Sequence, residues 1–120
     1  METKFNFKSA ICTSREQSEK LLALGLKKET ADMVLLKEMV YDENNHCTRD
    51  GDNYLIRPID YIEGEEHRGH IPAWSLHRLI LLLDTIACDW IFRNGDCYTN
   101  AINGIEWLIK EGYFNKEYLV

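Results

Sequence analysis

At 120 residues and 14.1 kDa the chain is one domain's worth of polypeptide, long enough to bury roughly two-thirds of its unfolded surface around one core. Its 45% hydrophobic and 28% charged residues exclude disorder, and its longest apolar run, Leu79–Leu83, is far short of the ~20 residues of a membrane span. A net charge of −6 argues against a general nucleic-acid binder, which needs clustered Lys and Arg.

Residues 1–10 carry no periodicity and are expected to fray, apart from Phe5 and Phe7, which could dock. Ser14-Arg-Glu-Gln17 is a capping box, in which the Ser hydroxyl and the Gln side chain satisfy each other's backbone N–H groups. Leu21, Leu22 and Leu24 continue the stripe, and Gly25 with Leu26 beyond it is a helix stop. The first helix is therefore expected over Arg15–Leu24.

Met33–Tyr41 mixes helix formers (Leu35, Leu36, Glu38, Met39) with residues that suit a strand (Val34, Val40, Tyr41). Both faces carry apolar residues, so alternation does not decide; strand is the preferred reading. Tyr54–Ile59 is a second short strand, placed at an edge or ended by Pro58.

Pro72-Ala-Trp-Ser75 opens the next helix with Ser75 as N-cap. Leu76, Leu79, Ile80 and Leu83 share one face while Leu81 and Leu82 cover another, so this helix is expected to be central, with Trp74 at its mouth. Ile86, Cys88, Trp90 and Phe92 then alternate with a second set of residues, and Asn94-Gly95 follows, the strongest short hairpin signal. That predicts a strand, a type I′ turn and a brief return strand over Asp96–Thr99. An amphipathic helix closes the chain over Asn100–Glu111, with Ile102, Ile105, Leu108 and Ile109 inward and Gly112 past its end. The expected architecture is one α+β domain, with three helices on a small antiparallel sheet in the order α-β-β-α-β-β-α.

Acidity is concentrated in the middle. Residues 42–70 carry three Arg against eight Asp and Glu, a net of −5, among turn residues such as Asn44, Asn45, Gly51 and Gly64. This stretch reads as an exposed, loop-rich insertion within the domain. Cys12, Cys47, Cys88 and Cys97 are never closer than nine residues, so no Cys-x-x-Cys signature exists. With no basic-then-apolar N-terminus, the expectation is a cytoplasmic protein with free, mostly buried thiols.

The chemistry-bearing candidates are incomplete. Glu66-His67-Arg-Gly-His70 departs from the zincin pattern, because the Glu precedes both imidazoles and Gly69 and Pro72 favour a loop. His67 and His70 could bind zinc only if His46 or Cys47 approached. Asp50-Gly-Asp52-Asn53 fails the calcium loop at its fifth, sixth and twelfth positions. His77 has no partner in sequence that would make it a catalytic base. Trp74, Trp90, Trp107 and Tyr113 lack the surrounding cations of a nucleic-acid stacking platform and read as core or interface.

Five strings stand together: Ile11-Cys-Thr-Ser-Arg-Glu-Gln-Ser18, Leu21-Leu-Ala-Leu-Gly-Leu26, Thr30-Ala-Asp-Met33, Ile71-Pro-Ala-Trp-Ser-Leu76 and Ala101-Ile-Asn-Gly-Ile-Glu-Trp-Leu108. In this order the chain resembles a family of short, uncharacterised proteins from gut Bacteroidales genomes, phages and mobile elements. The resemblance spans most of residues 11–113, favours a strand from Met33 and implies no activity, cofactor or catalytic residue.

Two functional expectations follow. The first is a small non-catalytic binding or accessory protein without cofactor, using the acidic stretch to meet a protein with a basic face. Glu63, Glu65 and Glu66 would be rim charges there, and Tyr54 or Tyr61 the aromatic anchor. The alternative is a metal-dependent hydrolase using His67, His70 and neighbouring acids. Neither nucleic acid nor membrane is an expected partner.

Overall fold

A computed structural model of the chain describes residues 10–48, 51, 53–58 and 70–120. The expected frayed segment therefore lies outside the described residues, except for Ala10.

The first helix, α1 (Arg15–Ala23), begins as the capping box requires. Ser14 Oγ accepts from Gln17 N, and the Gln17 side chain accepts from Ser14 N at 2.9 Å. It ends at Gly25, whose φ of 103° places it in the left-handed region. Leu26 N donates to Leu21 O and Gly25 N to Leu22 O, and Leu21 and Leu26 meet in the core.

After a 3₁₀ turn (Lys28–Thr30) comes strand β1 (Met33–Lys37), then a short ribbon of β2 (Val40–Tyr41) and β3 (Cys47–Thr48), then β4 (Tyr54–Pro58) and β5 (Ile71–Ala73). The main sheet is antiparallel in the order β4-β1-β5, with Leu35 paired to Ile56 on one side and Ile71 on the other. β1 is the middle strand, and Val34, Leu35 and Leu36 are all buried. A strand covered on both faces has no reason to alternate, which is why periodicity left it ambiguous. β5 occupies the segment read as the run-in to a helix. Pro72 is tolerated there because β5 is an edge.

Helix α2 (Leu76–Ala87) follows, capped by Ser75 Oγ on Arg78 N at 3.1 Å. Of the expected inward face Leu79 and Leu83 are buried while Leu76 and Ile80 are only half-buried; of the other side Leu82 is buried but Leu81 is 55% exposed. Near its end Asp84 takes φ 57° and ψ −164°, a conformation suited to glycine that costs on the order of 1–3 kcal/mol. The break changes which residue faces inward. In an unbroken helix Ile86, seven after Leu79 and four after Leu82, would sit in the middle of the buried stripe. Instead Ala87 is fully buried and Ile86 is 51% exposed.

The C-terminal hairpin expected over Ile86–Thr99 does not form. Its first half is the end of α2 and a 3₁₀ turn (Cys88–Phe92); its second is the start of α3 (Cys97–Glu111). Gly95 does adopt positive φ, but the turn leads into a helix because Asp96 is an N-cap, its carboxylate accepting from Thr99 N at 3.0 Å. Asn100 Nδ2 donates to Arg93 O at 2.7 Å and closes the loop. The fold class stands as expected, three helices with a small antiparallel sheet, while the element order loses that hairpin and gains β5 and the β2–β3 ribbon.

The main core joins α1, α2, α3 and Trp74, which is fully buried rather than at a mouth. Around it, Trp74 Nε1 donates to Thr30 Oγ1, and the Trp74 backbone exchanges hydrogen bonds with Thr13. The Asp32 carboxylate accepts from both Ser75 N and Ser75 Oγ. Asp32 thereby ties the start of β1 to the positive end of α2.

Where α3 crosses α2, Gly104 permits close approach. A Cβ there would stand 2.7 Å from Leu83 Cδ2 and 3.0 Å from Trp90 Cγ. Gly104→Ala gains up to ~1 kcal/mol of helix propensity but overpacks by about 1–3 kcal/mol. A lower denaturant midpoint is expected; a higher one would show that the crossing can yield.

Candidate functional site

Of the residues proposed for partner contact, Tyr61, Glu63, Glu65 and Glu66 lie outside the described residues, as does His67. Tyr54 opens β4 and is half-buried, packed against the cluster of Cys12, Leu35 and Ala73. His70 sits just before β5 and His77 is exposed on α2. His46 and Cys47 are exposed on the β2–β3 ribbon. Among the described residues no three His, Cys, Asp or Glu side chains converge on a point that could hold a metal ion.

Within the acidic stretch 42–70, residues 42–48 close a built hairpin, while Tyr54–Pro58 is strand β4 of the main sheet and so is not part of an exposed insertion. Asp42 Oδ1 accepts from the backbone N–H groups of Asn44 and His46, each at 2.8 Å, and Asn45 takes the left-handed conformation with φ 61°. His46 Nδ1 lies 3.3 Å from the second Asp42 oxygen. This turn holds β2 out from the body, with Met39 47%, Val40 39% and Tyr41 68% exposed. Glu43 stands exposed beside them. Sequence reasoning does not single out Tyr41, because it reads as the end of a longer strand. The signal that identifies it is the Asp-x-Asn-Asn turn immediately after it.

Residues 42–48 are exposed throughout, and loop entropy depends weakly on length. Replacing them with a short Gly-Ser turn is expected to leave a single cooperative melt, changed by only about 0.5 kcal/mol. Loss of cooperativity would mean that the ribbon packs on the core. The sequence reads the whole of 42–52 as replaceable in this way, but the structure shortens the segment, because Gly51 is buried, its N–H bonds Glu38 O at 3.0 Å, and a Cβ there would overlap Glu38.

All four cysteines are free, as expected, but only Cys12 is buried. Burial, then the nearby Asp32 charge, pushes its thiol up to about 11. Above the ordinary thiol value the unfolded chain ionises first, so Cys12 withdraws stability between about pH 9 and 11.

Helix α2 and the C-terminal segment line an open groove of about 870 Å³, flanked by Lys27, Glu29, Arg78 and Glu117. A smaller hollow of about 130 Å³ adjoins it, sharing Leu81, Leu82, Asp84 and Tyr118. Beside this lies a column of rings: Arg93 Cζ sits 3.4 Å above Trp90, Trp90 is 6.0 Å from Trp107, and Trp107 is 5.9 Å from Tyr113. Trp107 is half-buried at its centre, which fits its place between the apolar and polar faces of α3. Comparison with protein-family models, curated proteins and solved structures returns no match to this chain, so its function is read from its own surface.

Proposed function

We propose that the chain is a small non-catalytic accessory protein of a bacterial mobile element or phage. It acts in the cytoplasm by binding a protein with a basic face through the acidic stretch 42–70. The observation that carries this reading is the β2–β3 hairpin, which presents Tyr41 at 68% exposure with Glu43 at its side. An exposed aromatic among like charges suits an interface in which the ring anchors and the charges steer. The net of −5 over residues 42–70 selects a cationic partner and repels an acidic one.

The test begins with affinity capture from the native host and mass spectrometry, followed by binding kinetics on the captured partner. Charge reversal at Glu43, Glu63, Glu65 and Glu66 is expected to slow association and flatten its salt dependence. Tyr41→Ala is expected to weaken binding by about 1–2 kcal/mol, chiefly through faster dissociation. An unchanged on-rate and salt slope would leave this charge as a solubilising face only.

A further inference from the structure

The small hollow beside α2 supports an inference that is independent of the acidic hairpin. The buried side chains of Leu82, Leu83 and Leu108 line its base, and Asp84, Tyr113 and Tyr118 line it as well. At about 130 Å³ it has room for roughly four waters of ~30 Å³ each, the bulk of a small alkylammonium head. Asp84 is the only charged residue among the described ones that line it; Lys27 and Arg78 belong to the adjoining groove. One Asp84 oxygen accepts from Thr85 N at 2.8 Å. Among the described residues no Lys, Arg or His stands within ion-pair distance of this carboxylate. The regular turns of α2 end at Asp84, so the negative end of the helix dipole adds to its charge. Its backbone, at φ 57° and ψ −164°, is strained in the way that collects at ligand sites.

The rings supply the other half of the site. Tyr113 is 5.9 Å from Trp107 and Tyr118 is 5.9 Å from Phe114, so each ring is held by a neighbour while 58% and 37% of the two residues stay exposed. Tyr113 also ends the column that starts with Arg93 over Trp90, where the negative face of an indole already holds a cation. The opposite end of that column opens on the hollow. A lone carboxylate with two tyrosines over a leucine base suits a methylated ammonium. Its charge meets Asp84 and the rings, and its methyl groups meet the leucines. A bare ammonium would bring three N–H donors to a base that offers them no side-chain acceptor. We propose that the hollow bounded by Asp84, Tyr113 and Tyr118 is a binding site for a quaternary ammonium group, carried on a free small cation or on a trimethylated lysine side chain.

The experiment is calorimetric titration of the full chain with choline and, separately, with Nε-trimethyl-lysine. Saturable one-to-one binding is expected, and the tighter of the two cations names the source of the group. Two controls are expected to bind about tenfold more weakly or worse: unmethylated lysine, and the neutral isostere of choline with a tert-butyl group in place of trimethylammonium. Asp84→Asn and Tyr113→Leu, both at exposed positions, are expected to weaken binding about tenfold while their thermal melts match the parent. Asp84→Gly relieves the backbone as well as removing the charge, so it is expected to raise the denaturant midpoint and lose the ligand. Failure of both cations to bind overturns the proposal, as does equal binding of either control. Undiminished binding in Asp84→Asn and Tyr113→Leu, or in Asp84→Gly, overturns it too. None of these outcomes bears on capture of a basic partner by the hairpin, so the two readings fail separately.

Discussion

Trp74→Ala is expected to destabilise the protein by about 3–5 kcal/mol, the range for removing a large buried aromatic. Trp74 is fully buried in the cluster that joins α1, α2 and α3, so its loss opens a cavity where three helices meet. It also removes the indole N–H that Thr30 Oγ1 accepts at 3.0 Å. Trp74→Phe separates the two contributions. It keeps most of the apolar volume and deletes the hydrogen bond, for an expected loss of about 1–2 kcal/mol. Against a stability of roughly 5–15 kcal/mol for a domain of this kind, the alanine variant stands close to unfolding. Denaturant melts read both variants. If the alanine variant costs no more than the phenylalanine variant, the ring contributes its hydrogen bond and little packing.

Leu79→Ala is expected to cost about 2–5 kcal/mol for the same physical reason. Leu79 is fully buried on the stripe that it shares with Leu83, in the cluster that also holds Ile105 and Leu108 of α3. The transfer energy of the lost methylene groups and the unfilled space both count, because a core at crystal-like density relaxes only in part. Leu81→Ala, two residues away, is the internal control. Its side chain is 55% exposed, and its loss is expected to fall within about 0.5 kcal/mol. A loss below about 0.5 kcal/mol for Leu79→Ala would put this face of α2 at the surface and overturn the packing described.

Three segments distant in sequence meet at one place. Thr13 bonds the backbone of Trp74, Thr30 takes its indole N–H, and Asp32 holds Ser75 at the head of α2. Their residue types answer to hydrogen bonds between segments distant in sequence, which accounts for why nothing in their local pattern suggested an activity. The candidate partner surface was legible only in part. Net charge located the acidic stretch, but charge alone does not say which aromatic within reach of it is exposed. Tyr54 turned inward because β4 packs against β1, and Tyr41 stands outward because it lies past the end of β1 at Lys37, in the separate β2–β3 ribbon.

Features governed by short-range chemistry were determined by the sequence alone. The capping box at Ser14, the left-handed stop at Gly25, the N-cap at Ser75 and the stripe of α3 each depend on residues within about one or two turns. The tertiary structure decided whatever a local signal left degenerate. Asn94-Gly95 supplied a turn, and whether a strand or a helix followed depended on Asp96 capping α3 and on that helix finding α2 to bury against. The alternation of Ile86, Cys88, Trp90 and Phe92 carried no strand: Cys88–Phe92 turns as a 3₁₀ helix in which the Trp90 ring lies against Trp107. The outward turn of Ile86 was beyond any local pattern. Its side chain and helical position both favour burial, and the backbone break at Asp84 reverses that preference.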